Sequence, residues 1–388
     1  MRGHLRQRGS NWELRAFAGR DPGTGRRVYV TRTFRGGKRE AEEALARLVA
    51  EVSGGGHASQ DTTVADLLRN WLEHAQPNLS PTTARGYDWI ARTYILPSLG
   101  SRPLSRLRTA DLDRFYGGLL SGGGQDGKAL SPATVRQVHA ILRRALEQAL
   151  RWGWLTTNPA ALASPPRVRA TVVEAPEPED IVRLIDAALA DDADFGTYLH
   201  VAAMTGARRG ELCALQWRDV DDTTHAVLIR RNVVEGARGA LVIKDTKTHA
   251  ARRVALDRTT ATLLAAHRER ALARAAATGL NLRPDAFLFS NAITGDAPWV
   301  PNEVTKRFIR LRNKIGAGKV RLHDLRHFAA TRLLAAGVPV RTVSGRLGHA
   351  NAATTLGVYA HFVESSDRDA AAKLEALLAS SRSPGPAS

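Results

Sequence analysis

Apolar and polar residues change their spacing several times along the chain, and the changes mark out elements. Two runs rich in β-formers, Trp12–Phe17 and Val28–Phe34, flank the turn residues of Asp21–Gly25. A third strand is expected around His4–Arg8, and a helix over about 38–52 with Ala44, Leu45, Leu48 and Val49 inward. After the Gly- and Ser-containing stretch 53–60, residues 61–165 read as four helices. Thr62 or Thr63 starts the first, with Val64, Leu67, Leu68 and Trp71 apolar. Ser80-Pro81 starts the second, Asp111–Leu120 is the third, and Ser131-Pro132 starts the fourth. The fourth keeps the helical period through Val135, Val138, Ile141, Leu142, Leu146 and Leu150, and is expected to end at Asn158-Pro159.

A second linker, Ser164–Arg169, precedes a mostly helical remainder, interrupted by a short sheet of Ala226–Arg231, Leu241–Lys244 and Arg253–Leu256. Further on, Leu325, Phe328 and Ala329 give a helix a buried stripe, and Gly337 with Pro339 should stop it. A short helix through Ser344, Arg346 and Leu347 should end at Gly348. A tail helix is placed at about 366–380, with Leu374, Leu377 and Leu378 on one side. It is too short and sparse to be stable alone, so it should pack elsewhere, on a neighbouring protomer. The pattern predicts a mainly α protein with small β-sheets (α+β) in three parts: a three-stranded sheet plus helix at 1–55, four helices at 61–165, and a helical domain with a small antiparallel sheet at 176–388.

Composition narrows the partners. Of the 388 residues 43% are hydrophobic, enough for each part to bury a core. No apolar run approaches the roughly 20 residues of a membrane span, and no apolar segment of signal-peptide type follows Met1–Arg8. One cysteine, Cys213, excludes an intramolecular disulfide and a thiolate-built metal site, and it fits a reducing cytoplasm. The net charge of +18 makes a polyanion the expected partner, above all nucleic acid. Residues 1–40 alone carry eleven Lys and Arg against three acids.

Candidate chemistry lies in four short stretches: Thr205-Gly206-Ala207-Arg208-Arg209-Gly210-Glu211-Leu212, Lys247 between two threonines, His323-x-x-Arg326, and Leu347-Gly348-His349 followed ten residues later by Tyr359. In this order and spacing they resemble the signature of the tyrosine site-specific recombinases, the phage-type integrases. Strongly over 176–363 and loosely before, the resemblance covers the whole chain. It implies an arm-binding domain at 1–55, a core-binding domain at 61–165 and a catalytic domain at 176–388 with its tail helix. Residue roles follow from it too: Arg208, Arg326 and His349 on the phosphate, Lys247 as acid for the leaving oxygen, His323 as acceptor of the phenol proton, Tyr359 as nucleophile and Glu211 in support.

The chemistry of these groups suits such roles. Guanidinium donates two parallel hydrogen bonds to phosphate oxygens and stays charged. Ammonium beside two arginines has its pKa pulled towards neutrality. The phenol of Tyr359, with an ordinary pKa of about 10, must lose its proton as it attacks. Arg209 and Lys244 are the neighbours that could take the places of Arg208 and Lys247. His327 and His361 read as structural or phosphate-adjacent, Cys213 as a small buried hydrophobe, and Ala255 stands where the family often has proline.

Arg6, Arg15, Arg27 and Arg32 are expected on one open sheet face that reads DNA, and Arg85, Arg92, Arg136, Arg143 and Arg144 on backbone phosphates. The resemblance further implies an integrase of a phage or other mobile element working in the cytoplasm at the nucleoid. Its partners would be core and arm sites on double-stranded DNA, a tetramer of copies passing through a Holliday junction, and an excisionase or DNA-bending protein. No metal, ATP or other cofactor is required. Two other readings share the pattern, a type IB topoisomerase and a catalytically silent DNA-binding regulator.

Overall fold

The computed structural model describes residues 3–20, 27–53, 62–168, 175–236, 239–245, 251–349, 351, 353, 355–356 and 367–381. The chain divides into two compact units, 1–170 and 171–388. The fold is mainly α with small antiparallel sheets.

In the first unit, β1 (Gly3–Arg8), β2 (Asn11–Arg20) and β3 (Arg27–Arg35) form an antiparallel sheet in the order β1-β2-β3. Helix α1 (Lys38–Ser53) covers one face, and Leu14, Ala16, Ala41 and Leu48 make the small core between them. The register decides which arginines share the other face. Arg6 pairs with Glu13, and Arg15 with Thr31 on the open side; Arg27 falls there by alternation with Tyr29 and Thr31. Arg15 lies over the Tyr29 ring at 4.1 Å. Arg32 pairs with buried Leu14 and so belongs to the helix-covered face, which corrects the expectation of four arginines on one side.

Four helical segments follow: α2 (Val64–Ala75), α3 (Pro81–Ile90) running through a π-turn at Ala91–Ile95 into α4 (Leu96–Leu99), α5 (Thr109–Ser121) and α6 (Pro132–Arg151). Their starts come from side chains. Thr63 and Asp66 form a capping box, while the Ser80 and Ser131 hydroxyls accept from the Thr83 and Thr134 amides, with proline next in both. The last helix ends at Arg151, before Asn158. Trp152 caps it and Gly153 turns left-handed at φ 73°, while Asn158 accepts from the Ala160 amide to start a separate 3-10 turn.

The second unit is built around α8 (Ala193–Thr205), which packs against α7 (Pro178–Asp191), α10 (Arg258–Ala276) and α12 (Asp324–Ala335). The rings of Phe195, Tyr198, Phe289 and Trp299 pack together in its core, Phe195 stacked on Tyr198 and Phe289 edge-on to it. Short helix α9 (Arg209–Cys213) follows α8, and its Cys213 is fully buried, with burial pushing the thiol up to about 12. The expected single sheet is two. β5 (Ala226–Ile229) pairs with β4 (Val220–Asp221) and β8 (Arg252–Ala255), whereas β6 (Arg231–Glu235) pairs with β7 (Leu241–Asp245). The extended run from Ala226 to Glu235 changes partners at Arg230, so Leu241–Asp245 meets β6 rather than β5. Helix α11 (Pro301–Lys314) adds Val304, Phe308 and Leu311 to this core, while α13 (Val340–Leu347) packs Val343 and Leu347 on Ala330 in a separate small cluster and ends at Gly348 with φ 68°. In the tail helix, α14 (Asp367–Ser381), Leu374, Leu377 and Leu378 are all more than 60% exposed.

Candidate active site

Arg208 is placed by the residues before it. The Thr205 hydroxyl donates back to the Val201 carbonyl at 2.6 Å and accepts from the Ala207 amide at 3.2 Å. Gly206 then turns left-handed, φ 63°, and a Cβ there would come 2.5 Å from Leu347 Cδ2. The Gly206 carbonyl, freed by that turn, accepts from Arg326 Nη1 at 2.6 Å. Arg208 caps α9, and Glu211 holds it twice, accepting from its amide at 2.9 Å and from Nη1 at 2.8 Å. Arg208 Nη2 reaches the Gly348 carbonyl at 3.3 Å, next to His349. Arg209 turns to α11, where its Nη1 meets Thr305 Oγ1 at 2.6 Å.

Glu211 is 1% exposed. Burial pushes its carboxyl up, but the hydrogen bond and charge of Arg252, then those of Arg208, outweigh it and hold the group below its ordinary value. Arg252 is the first residue of β8, and its side chain is 8% exposed. Its Nη2 donates to Glu211 Oε2 at 2.6 Å and its Nε to the Arg346 carbonyl at 2.9 Å. A Cβ on Gly348 would sit 2.6 Å from Arg252 Nη1, so glycine lets the His349 turn close over the guanidinium.

His323 precedes α12 and Arg326 lies in its first turn, 4% exposed. Burial pushes His323 down to about 4, helped by His327, Arg326 and Arg208. Burial, Arg326, Arg208 and Arg252 do the same to His349, also to about 4. The structure thus brings Arg208, Glu211, His323, Arg326 and His349 into one neighbourhood, with both imidazoles neutral near pH 7. Beside them opens a cavity of roughly 400 Å³, lined in part by Ala207, Arg208, Leu212, Ile309, His323 and Arg326. Lys247, Tyr359 and His361 lie outside the described residues.

Residues 176–365 match the model of the phage integrase family, and residues 63–120 that of the phage integrase N-terminal SAM-like domain. The chain belongs to the tyrosine recombinases of the phage integrase family. With that membership goes the role of a site-specific recombinase, a DNA breaking-and-rejoining enzyme. Relatives of this recombinase include a XerC-like tyrosine recombinase of Caldanaerobacter subterraneus, 28% identical over 88% of this chain and 90% of its own. An integrase of Saccharopolyspora erythraea is 27% identical over 87% and 88%. In fold, the recombinase is similar to the Tn1549 transposon integrase in complex with a circular intermediate DNA, with a TM-score of 0.66 at 20% identity over 81% of this chain and 99% of that one. It is also similar to a lambda integrase tetramer bound to a Holliday junction, with a TM-score of 0.54 at 19% identity over 90% and 94%.

In the first unit of the recombinase, Arg136, Arg143 and Arg144 line a cleft of roughly 790 Å³ with Trp71 and Tyr87, and Arg144 Nη1 donates to the Tyr87 hydroxyl. Arg85 and Arg92 do not line it, and Arg92 pairs with Asp88 at 2.8 Å. Arg151, not among the expected phosphate contacts, does line it. Sequence reasoning also missed Arg252, although strand alternation with inward Val254 and Leu256 carried the signal. Thr355, whose hydroxyl lies 2.7 Å from His349 Nδ1, had no signal beyond its small polar side chain.

Proposed function

We propose that this chain is the integrase of a phage or other mobile element, cutting and rejoining DNA through a 3′-phosphotyrosyl bond to Tyr359. The observation that carries this reading is the gathering of Arg208, His323, Arg326 and His349 from three separated stretches, with Glu211 buried behind them. In the reaction the Tyr359 oxygen attacks the scissile phosphorus and its proton passes to His323. Arg208 and Arg326 neutralise the phosphorane-like transition state, and His349 donates a hydrogen bond to it. The 5′-oxygen leaves with a proton from Lys247, and the ester bond to Tyr359 retains the energy for resealing. His323, pushed down to about 4, is present as the neutral acceptor. The phosphate anion bound beside it raises its basicity during the step.

Likeness to a lambda integrase tetramer bound to a Holliday junction supports assembly of four protomers on DNA. The exposed leucines of α14 supply an apolar stripe for such self-association. The open face with Arg6, Arg15 and Arg27 suits an arm site, and the cleft with Arg136, Arg143 and Arg144 suits phosphates of the core site. An excisionase or DNA-bending protein is the accessory partner this reading calls for.

A suicide duplex, nicked just past the cleavage point, tests it. Covalent trapping at one sequence, abolished in Tyr359→Phe with DNA binding intact, is the expected result. Trapping on any duplex would make the chain a topoisomerase, and no trapping would make it a regulator. Normal cleavage by Tyr359→Phe would refute the nucleophile.

A further inference from the structure

His349 leans on a chain of two hydroxyls. Its Nδ1 lies 2.7 Å from Thr355 Oγ1, and Thr355 Oγ1 lies 2.7 Å from Ser344 Oγ. Thr355 is 0% exposed and Ser344 5%, so bulk water does not serve either hydroxyl. Ser344 sits on α13 beneath the turn that carries His349. Thr355 stands four residues before Tyr359.

The protons can be arranged in two directions. In one, Ser344 donates to Thr355 and Thr355 donates to Nδ1, which uses both hydroxyl protons and leaves the imidazole proton on Nε2. In the other, Nδ1–H donates to Thr355 and Thr355 to Ser344, and the Ser344 proton finds no acceptor among the described residues. A buried donor without an acceptor is costly, so the first direction is favoured. Direction matters because the ring is neutral: an imidazolium would donate from both nitrogens, but a neutral ring donates from one. Burial and the charges of Arg326, Arg208 and Arg252 keep it neutral.

We propose that Ser344 and Thr355 are positioning residues that hold His349 as its Nε2–H tautomer, so that the ring nitrogen turned away from Thr355 is a donor to the scissile phosphate. The inference rests on the reading of His349 as a phosphate donor. It adds that the donor exists only because a two-hydroxyl relay occupies the other nitrogen, and it ties that donor to the chain segment leading to the nucleophile.

Histidine-selective ¹⁵N labelling of the full chain, with the His349 signals assigned from a His349→Gln variant, reads the tautomer directly. The wild type should show Nε2 protonated and Nδ1 bare. Thr355→Val keeps the shape and removes the hydroxyl. It should give a tautomer mixture and slow single-turnover cleavage on the order of tenfold, less than the roughly hundredfold that loss of a whole donor brings. DNA affinity should be unchanged, and Thr355→Ser should restore both readouts. Thr355→Ala also removes the hydroxyl and should shift the mixture in the same direction, which provides a second variant if valine disturbs folding. A wild-type His349 protonated on Nδ1, or Thr355→Val cleaving at full rate while His349→Ala is slow, would overturn the relay. His349→Ala cleaving at full rate would instead remove the underlying donor reading, and the relay with it.

Discussion

Arg252 joins what the motifs supply separately. One guanidinium donates to Glu211, which orients Arg208, and to the Arg346 carbonyl at the end of the helix that presents His349. Their side chains are only 8% and 1% exposed, and losing Arg252 leaves buried Glu211 with Arg208 as its remaining charged partner among the described residues. Arg252→Met should therefore lower unfolding free energy by about 3 kcal/mol, while the double variant with Glu211→Gln should lose clearly less than the two single losses combined. Urea unfolding of the four proteins measures that cycle, and strict additivity would count against a coupled pair. At this scale much was legible. Arg208, His323, Arg326 and His349 stood out because their types, order and spacing resemble a known signature, and the structure draws them into one neighbourhood. Arg252 did not, because it sits in an Arg-Arg doublet where only strand parity says which side chain turns inward. Thr355 is one of two adjacent threonines, and sequence alone does not mark its hydroxyl as buried.

Helix starts were the most readable elements. Ser80 and Ser131 each accept a backbone amide three residues on, with proline at the next position, so the local chemistry is complete within five residues. Replacing either serine by alanine should cost about 1 kcal/mol in thermal or chemical unfolding. The two losses should add, since each cap acts on its own helix. Helix ends and strand partners were less readable. The fourth helix of the first unit kept an apolar period to Leu150, but what stops it is the left-handed backbone of Gly153. Strand pairing depends on distant chain segments. The run Ala226–Glu235 reads as one apolar-rich stretch, and nothing in its sequence marks the break at Arg230, where it passes from one sheet to the other. Arg32 was misplaced for a simpler reason: it lies five residues from Arg27 on one strand, and that odd separation puts the two on opposite faces.

Across the whole molecule, the charge of +18 acts as a field before it acts as contacts. If six or more phosphates are neutralised, DNA affinity should drop roughly a thousandfold between 50 and 200 mM salt, with a log–log slope of about −5 or steeper. Binding isotherms on one duplex at four salt concentrations give the slope, and a value near zero would mean the surplus arginines face away from DNA. Fold class was legible at this scale because hydrophobic period and loop composition sum over many residues. Cys213 offers a different use of the same fold. The chain's single thiol is sealed in the core by α9, the short helix that begins beside Arg208 and contains Glu211. An alkylating reagent can reach it only when that helix opens, so the rate of its capture is a clock for how often this part of the candidate site comes apart. If DNA grips the neighbouring arginines, the clock should slow in its presence, without any probe having been engineered in.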